Sequence, residues 1–154
     1  MIVDANLIVS GTVSGATVTG QTFTGTGLIL SANCIDLSCK RDMGEGEDIY
    51  LRGFITTAFT GATSVEFQAI AADDAALTSN VTVIGSSGAI PVASLIQGYR
   101  FTAEINPRLG STGQRYMGAR ANIVGTATAG AAMMDFGIDL SDGGKTYPVG
   151  FSII

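Results

Sequence analysis

The residues with the most chemical potential lie close together in this chain. Between Ser31 and Leu51, in SANCIDLSCKRDMGEGEDIYL, fall Cys34 and Cys39, the adjacent bases Lys40 and Arg41, and the carboxylates Asp42, Glu45, Glu47 and Asp48 around two glycines. Two cysteines invite redox or zinc chemistry, but their separation is not C-x-x-C and the chain has no histidine to complete a metal site. A reducing compartment keeps such a pair as two small, half-buried thiols. Four carboxylates near one turn offer the hard oxygen donors that Ca²⁺ takes, yet their spacing is not that of an EF-hand, and they read as a solvated acidic turn. The absence of histidine excludes serine and cysteine triads that use an imidazole base.

Two glycine motifs also fail. Gly144-Lys145-Thr146 ends like a phosphate-binding loop, but the glycine required five positions earlier is Asp139. Gly44-Glu45-Gly46 opens like a dinucleotide fingerprint, and its third glycine would fall at Ile49. A carboxylate pair for glycoside cleavage is ordinarily accompanied by stacking aromatics; this chain is 7% aromatic and lacks tryptophan. The expectation is a protein that is not an enzyme and carries no cofactor.

Composition points the same way. The chain of 154 residues is 46% hydrophobic, enough for one domain with a packed core. Only 14% of residues are charged, against ~25% in a typical soluble domain. Low charge favours a surface largely covered by partners over one that keeps molecules apart. The net charge of −5 with scattered basic residues argues against nucleic-acid binding. Met1-Ile2-Val3-Asp4 lacks the basic start of a signal peptide, and no apolar run approaches the ~18 residues of a membrane span. The expectation is a soluble protein made in the cytoplasm, with no membrane partner.

The elements that must position these residues are strands. Residues 1–9 read as a strand or an extended arm. Residues 10–27 are nearly uncharged and rich in Gly, Thr and Ser, so a flexible linker and a glycine-loosened hairpin are both open readings. Strand patterns cover 49–59, then 64–71 after a turn at 60–63. In 64–71, Val65, Phe67, Ala69 and Ala71 alternate with Glu66 and Gln68, the pattern of a strand with one wet face. Further strands are read at 81–85, 99–106, 115–128 and 132–141, and the chain closes on the apolar TYPVGFSII. Pro91 confines its segment to an edge or a loop. The fold class expected is all-β: a jelly-roll-like antiparallel β-sandwich of seven or eight strands over 31–154, with an extended N-terminal arm and Gly/Thr-rich segment over 1–30.

A set of short motifs, in order along most of the chain, carries a resemblance. They are Met1-Ile2-Val3-Asp4; Ser31, Asn33 and Ile35-Asp36-Leu37; Asp42-Met43-Gly44-Glu45-Gly46-Glu47 running into Ile49-Tyr50-Leu51; Ala58-Phe59-Thr60; Arg115-Tyr116-Met117-Gly118; and Gly125 to Gly130. With these the chain resembles the small jelly-roll decoration, or cement, proteins on the capsids of short-tailed phages. It departs from them at Ser38, where the family usually has glycine, and in a longer segment between Asp4 and Ser31. The resemblance implies a structural virion protein on the outer capsid surface, bound to the major capsid protein and to itself as a homodimer, or alternatively a homotrimer. The partner-binding residues it implies are Met1, Ile2, Val3, Asp4, Lys40, Arg41, Asp42, Glu45 and Glu47. For Lys40 and Arg41, weakly paired loop charges and a partner contact are equally open. The competing function is a phage receptor-binding or tail-fibre head domain, which would show a surface cluster of aromatics.

Overall fold

Two long strands, β7 (Ile49–Ala72) and β10 (Tyr116–Ile138), form the spine of the protein. They pair antiparallel over their whole length, from Tyr116 opposite Ala72 to Ile138 opposite Ile49. The computed structural model describes residues 5–38, 48–105 and 114–138. A straight strand of 24 residues would run roughly 80 Å, far beyond the radius of gyration of about 15 Å for a chain this long. The ribbon therefore folds over on itself. The fold lies where register shifts cluster, between Val124 and Ala132 of β10. Gly61 (φ +85°) and Gly125 (φ +88°) supply the left-handed backbone there. A Cβ on Gly61 would sit 2.6 Å from the carbonyl oxygen of Thr126.

The turn expected at 60–63 and the break expected at Gly130 are thus bends inside continuous strands. Glycine at positive φ marks both a turn and a bulge, and the partner strand decides which forms. Here β10 carries its own irregularity opposite that of β7, so pairing survives the bend.

Bending creates two leaves from one eight-stranded sheet. In the first, β10 is flanked by β5 (Gly25–Leu30) and β6 (Ile35–Asp36), and β7 by β8 (Thr82–Pro91). In the second, β10 is flanked by β1 (Ile8–Ser10) and β4 (Gln21–Thr22), and β7 by β9 (Arg100–Glu104). The link from β8 to β9 follows the edge of β7 across the bend, with Phe59 N–H donating to the Leu95 carbonyl (3.0 Å) and Gly98 N–H to that of Ile55 (2.8 Å). All these pairings are antiparallel, giving the expected all-β sandwich.

One core fills the space between the leaves. Phe67 of the first leaf stacks on Phe101 of the second with ring centroids 4.0 Å apart, and Phe23 and Phe59 meet Phe67 edge-on. Around them lie Val65, Ala121 and Ile123 from one side and Leu51, Ile55, Met134 and Phe136 from the other. Gly130 leaves the room that the ring of Phe59 occupies. A smaller cluster lies on the outer side of the first leaf, where Leu77 covers Ile70 and Ala72 beside Leu30, Cys34, Val81 and Tyr116. The loop carrying Leu77 is held by the Asp74 carboxylate, which accepts from Thr78 N–H, Thr78 Oγ1 and Ser79 N–H at 2.7–2.8 Å.

The N-terminal segment 1–30 is divided. Val9 and Phe23 are fully buried, and β1, β4 and β5 are strands of the main sheet, all paired to β10. Residues 5–30 are therefore not an arm standing apart from the sandwich, because apolar side chains at Ile8, Val9 and Phe23 draw them into it. The exception is a separate two-stranded hairpin of β2 (Thr12–Ser14) and β3 (Thr17–Thr19). Of the two readings left open for this stretch, the hairpin is the one adopted.

Candidate functional site

All nine residues expected to bind a partner lie outside the described residues: Met1, Ile2, Val3 and Asp4, and Lys40, Arg41, Asp42, Glu45 and Glu47. Cys39 lies outside them too. Cys34 is half-buried and free, and burial, followed by the charges of Asp36 and Asp74, raises its thiol pKa. A raised pKa makes a poor nucleophile. Among the described residues no group of three or more His, Cys, Asp or Glu side chains is placed to hold a metal ion.

The described surface instead offers three features suited to contact. The first is the β2–β3 hairpin. Thr12 faces Thr19, Val13 faces Val18 and Ser14 faces Thr17, with Gly15 at φ +58° in the two-residue turn. All six strand residues are exposed, Val13 by 43% and Val18 by 38%. A two-stranded hairpin is marginal in water without a surface to pack on. It belongs to a longer stretch in which no charged residue occurs between Asp4 and Asp36.

The second feature is the outer side of the first leaf. Residues opposite one another across an antiparallel pair share a face, so two rows cross it. One runs Leu30, Arg120, Gln68, Ser86; the next runs Leu28, Asn122, Glu66, Ala89. Arg120 Nε donates to Oε1 of the buried Gln68 (2.7 Å), and Asn122 Nδ2 donates to Glu66 Oε2 (3.3 Å). Ser86 Oγ donates to the other carboxylate oxygen of Glu66. Donors from Gln68, Ser86 and Asn122 lower the Glu66 pKa, keeping it ionised. Burial lowers the Arg120 pKa, with Glu66 opposing; a guanidinium remains charged regardless. Leu28, which ends the second row, is 56% exposed, and Val124, one pair beyond Asn122 on the same face, is 53% exposed. The strand reading identified Glu66 and Gln68 as outward; it missed that Arg120 and Asn122 stand opposite them, because pairing partners are not written in a single strand.

The third feature is the edge of the first leaf at β6. Arg115 grips the Asp36 carboxylate through Nε and Nη2, both at 2.6 Å, and its guanidinium lies 5.2 Å from the Tyr116 ring centre. The Arg115 hydrogen bond lowers the Asp36 pKa. This exposed pair clips β6 to the start of β10. A different pair, Arg52 with Asp135, is buried on the outer side of the second leaf, where Arg52 Nη1 also donates to the Ile138 carbonyl (3.0 Å). Burial raises the Asp135 pKa against the opposing pull of Arg52.

The family model Bbp16 matches residues 17–136, about three quarters of the chain. The chain belongs to the Bbp16 family. The match runs from the start of β3 to within two residues of the end of β10, so the Bbp16 region holds the bent ribbon and the polar rows around Arg120, and both leaves except β1; of the hairpin it holds β3 alone. No curated protein matches the chain.

Proposed function

We propose that this protein decorates the outer surface of a phage capsid and stabilises contacts between major capsid protein subunits. Membership of the Bbp16 family and the all-β fold are compatible with a phage protein. The observation that carries the reading is the charge-free hairpin, a two-stranded sheet separate from the main one, whose facing valines Val13 and Val18 are exposed. Such an element makes sense on a molecule that spends its working life against a protein surface. A protein that binds the assembled shell and not the loose subunits adds its binding free energy to the shell by linkage. Self-association as a dimer or trimer would add avidity.

A receptor-binding head would present an aromatic platform for sugars. The described aromatics are buried, as Phe23, Phe59, Phe67, Phe101 and Phe136 are, or half-buried, as Tyr50, Phe54, Tyr99 and Tyr116 are. The deciding experiment is co-sedimentation of the purified protein with undecorated shells of its phage. Saturable binding at a fixed ratio to the major capsid protein, with the shells then surviving harsher heating, is the expected result. Absence of binding refutes the proposal.

A further inference from the structure

We infer that Arg120 is an anchor for a carboxylate side chain, Asp or Glu, presented by the protein surface on which this molecule docks; the identity of that surface as a capsid rests on the function proposed above. The hydrogen-bonded rows on the first leaf are polarised. At the acceptor end, both oxygens of Glu66 are taken, one by Ser86 and one by Asn122. At the donor end, Arg120 spends only Nε, on Gln68, and neither Nη has a partner among the described residues. The network is closed to a donor and open to an acceptor.

The mounting is rigid. Gln68 is buried in the central strand β7, and Arg120 sits in β10 directly opposite it. A guanidinium whose Nε is fixed has its two Nη groups aimed in one plane, the geometry that receives a carboxylate through two parallel hydrogen bonds. Holding the side chain in place beforehand removes most of the ordering cost that makes exposed ion pairs weak. Leu30, directly opposite Arg120, and the exposed Leu28 one pair further along β5 provide apolar contact for the aliphatic part of the incoming residue.

Charge selects the class of partner. A polyanion such as nucleic acid would meet the ionised Glu66 next to Arg120 and the net charge of −5. A single carboxylate on a protein meets that Glu66 charge only once and can offset it with two hydrogen bonds to the open Nη groups, while the rest of the net charge is screened beyond about 8 Å.

The test compares wild type, Arg120→Gln and Arg120→Lys in binding to undecorated shells, with circular dichroism melting as a control for folding. Arg120→Gln is expected to weaken binding about tenfold or more, a typical loss for a charge-assisted bond, while melting stays near that of wild type. Arg120→Lys, which keeps charge but loses the planar fork, is expected to recover only part of the loss. Unchanged affinity of Arg120→Gln on shells that bind wild type overturns the anchor and leaves the decoration role standing. Shells that bind no wild type overturn the decoration role instead. In that case the free protein decides: titration with sodium acetate against sodium chloride, followed by the arginine Nε–H resonances in NMR, should shift Arg120 saturably and the exposed Arg100 much less. Equal response of the two arginines overturns the anchor.

Discussion

Removing the ring of Phe67 should cost the protein more than any surface change, and the way that cost combines with a second substitution tests the folded ribbon itself. Phe67 is fully buried and touches three other rings, while its stacking partner Phe101 belongs to the opposite leaf. Phe67→Ala should destabilise by about 3–5 kcal/mol, the range for a large buried aromatic that leaves a cavity. For a domain of this length each kcal/mol lowers Tm by roughly 2–4 °C, so a fall of about 6–20 °C is expected. Phe101→Ala should cost a similar amount. The double variant should cost less than the sum, by about 0.5–1.5 kcal/mol, because the stacking between the rings is lost in either single variant. Urea unfolding followed by far-UV circular dichroism gives all four corners of the cycle. Additivity within about 0.3 kcal/mol would mean that the leaves do not meet at these rings, and the sandwich as described would be wrong.

Arg52→Met strands the Asp135 carboxylate in a buried site and should cost about 3–5 kcal/mol in urea unfolding, with much of it regained when Asp135→Leu is added. Gly61→Ala, at φ +85° and facing the Thr126 carbonyl, should lower stability by more than about 1 kcal/mol in the same assay. Asp36, Asp74 and Glu66 have pKa values lowered by their hydrogen bonds, from ordinary values of 3.8 for Asp and 4.5 for Glu. Their stabilisation is therefore present above those values and lost as pH falls through the folded ones, whereas Asp135, raised by burial, works in the opposite sense. Thermal melting between pH 7 and pH 2 should thus fall off below about pH 4.5, and Asp74→Ala should flatten part of that limb. Replacing both Val13 and Val18 with aspartate should leave Tm within about 2 °C, since neither is buried, yet reduce shell binding in co-sedimentation.

Much of the strand content was legible because one face of each strand is buried. Arg100, Thr102 and Glu104 are exposed while Phe101, Ala103 and Ile105 are buried, as their alternation requires. Val65, Phe67, Ala69 and Ala71 point inward for the same reason. Gln68 and Ile70 broke the pattern, since both are buried on the side read as wet. For Ile70 the cause is Leu77, which reaches it from a loop further along the chain, and no local period announces that. The bend near Gly61 looked like a turn because a glycine at positive φ has the same local signature in both settings. Arg120 carried no signal at all: its role arises only when β10 is laid beside β7.

The central place of β10 has a consequence for how the molecule comes into being. Strands β1, β4, β5 and β6 all pair on β10, which is the last strand of the described residues to be made. Ser10 waits 122 residues for the Ala132 carbonyl that its hydroxyl will bond, roughly 6–24 s at ordinary rates of synthesis. Through that interval β1, β4, β5 and β6 have no edge of their own chain to join, and no charge between Asp4 and Asp36 keeps them from joining a stranger's. Neighbouring ribosomes making the same chain bring such unpaired strands together before β10 exists to cover them, a risk that stability in the finished fold does nothing to lower.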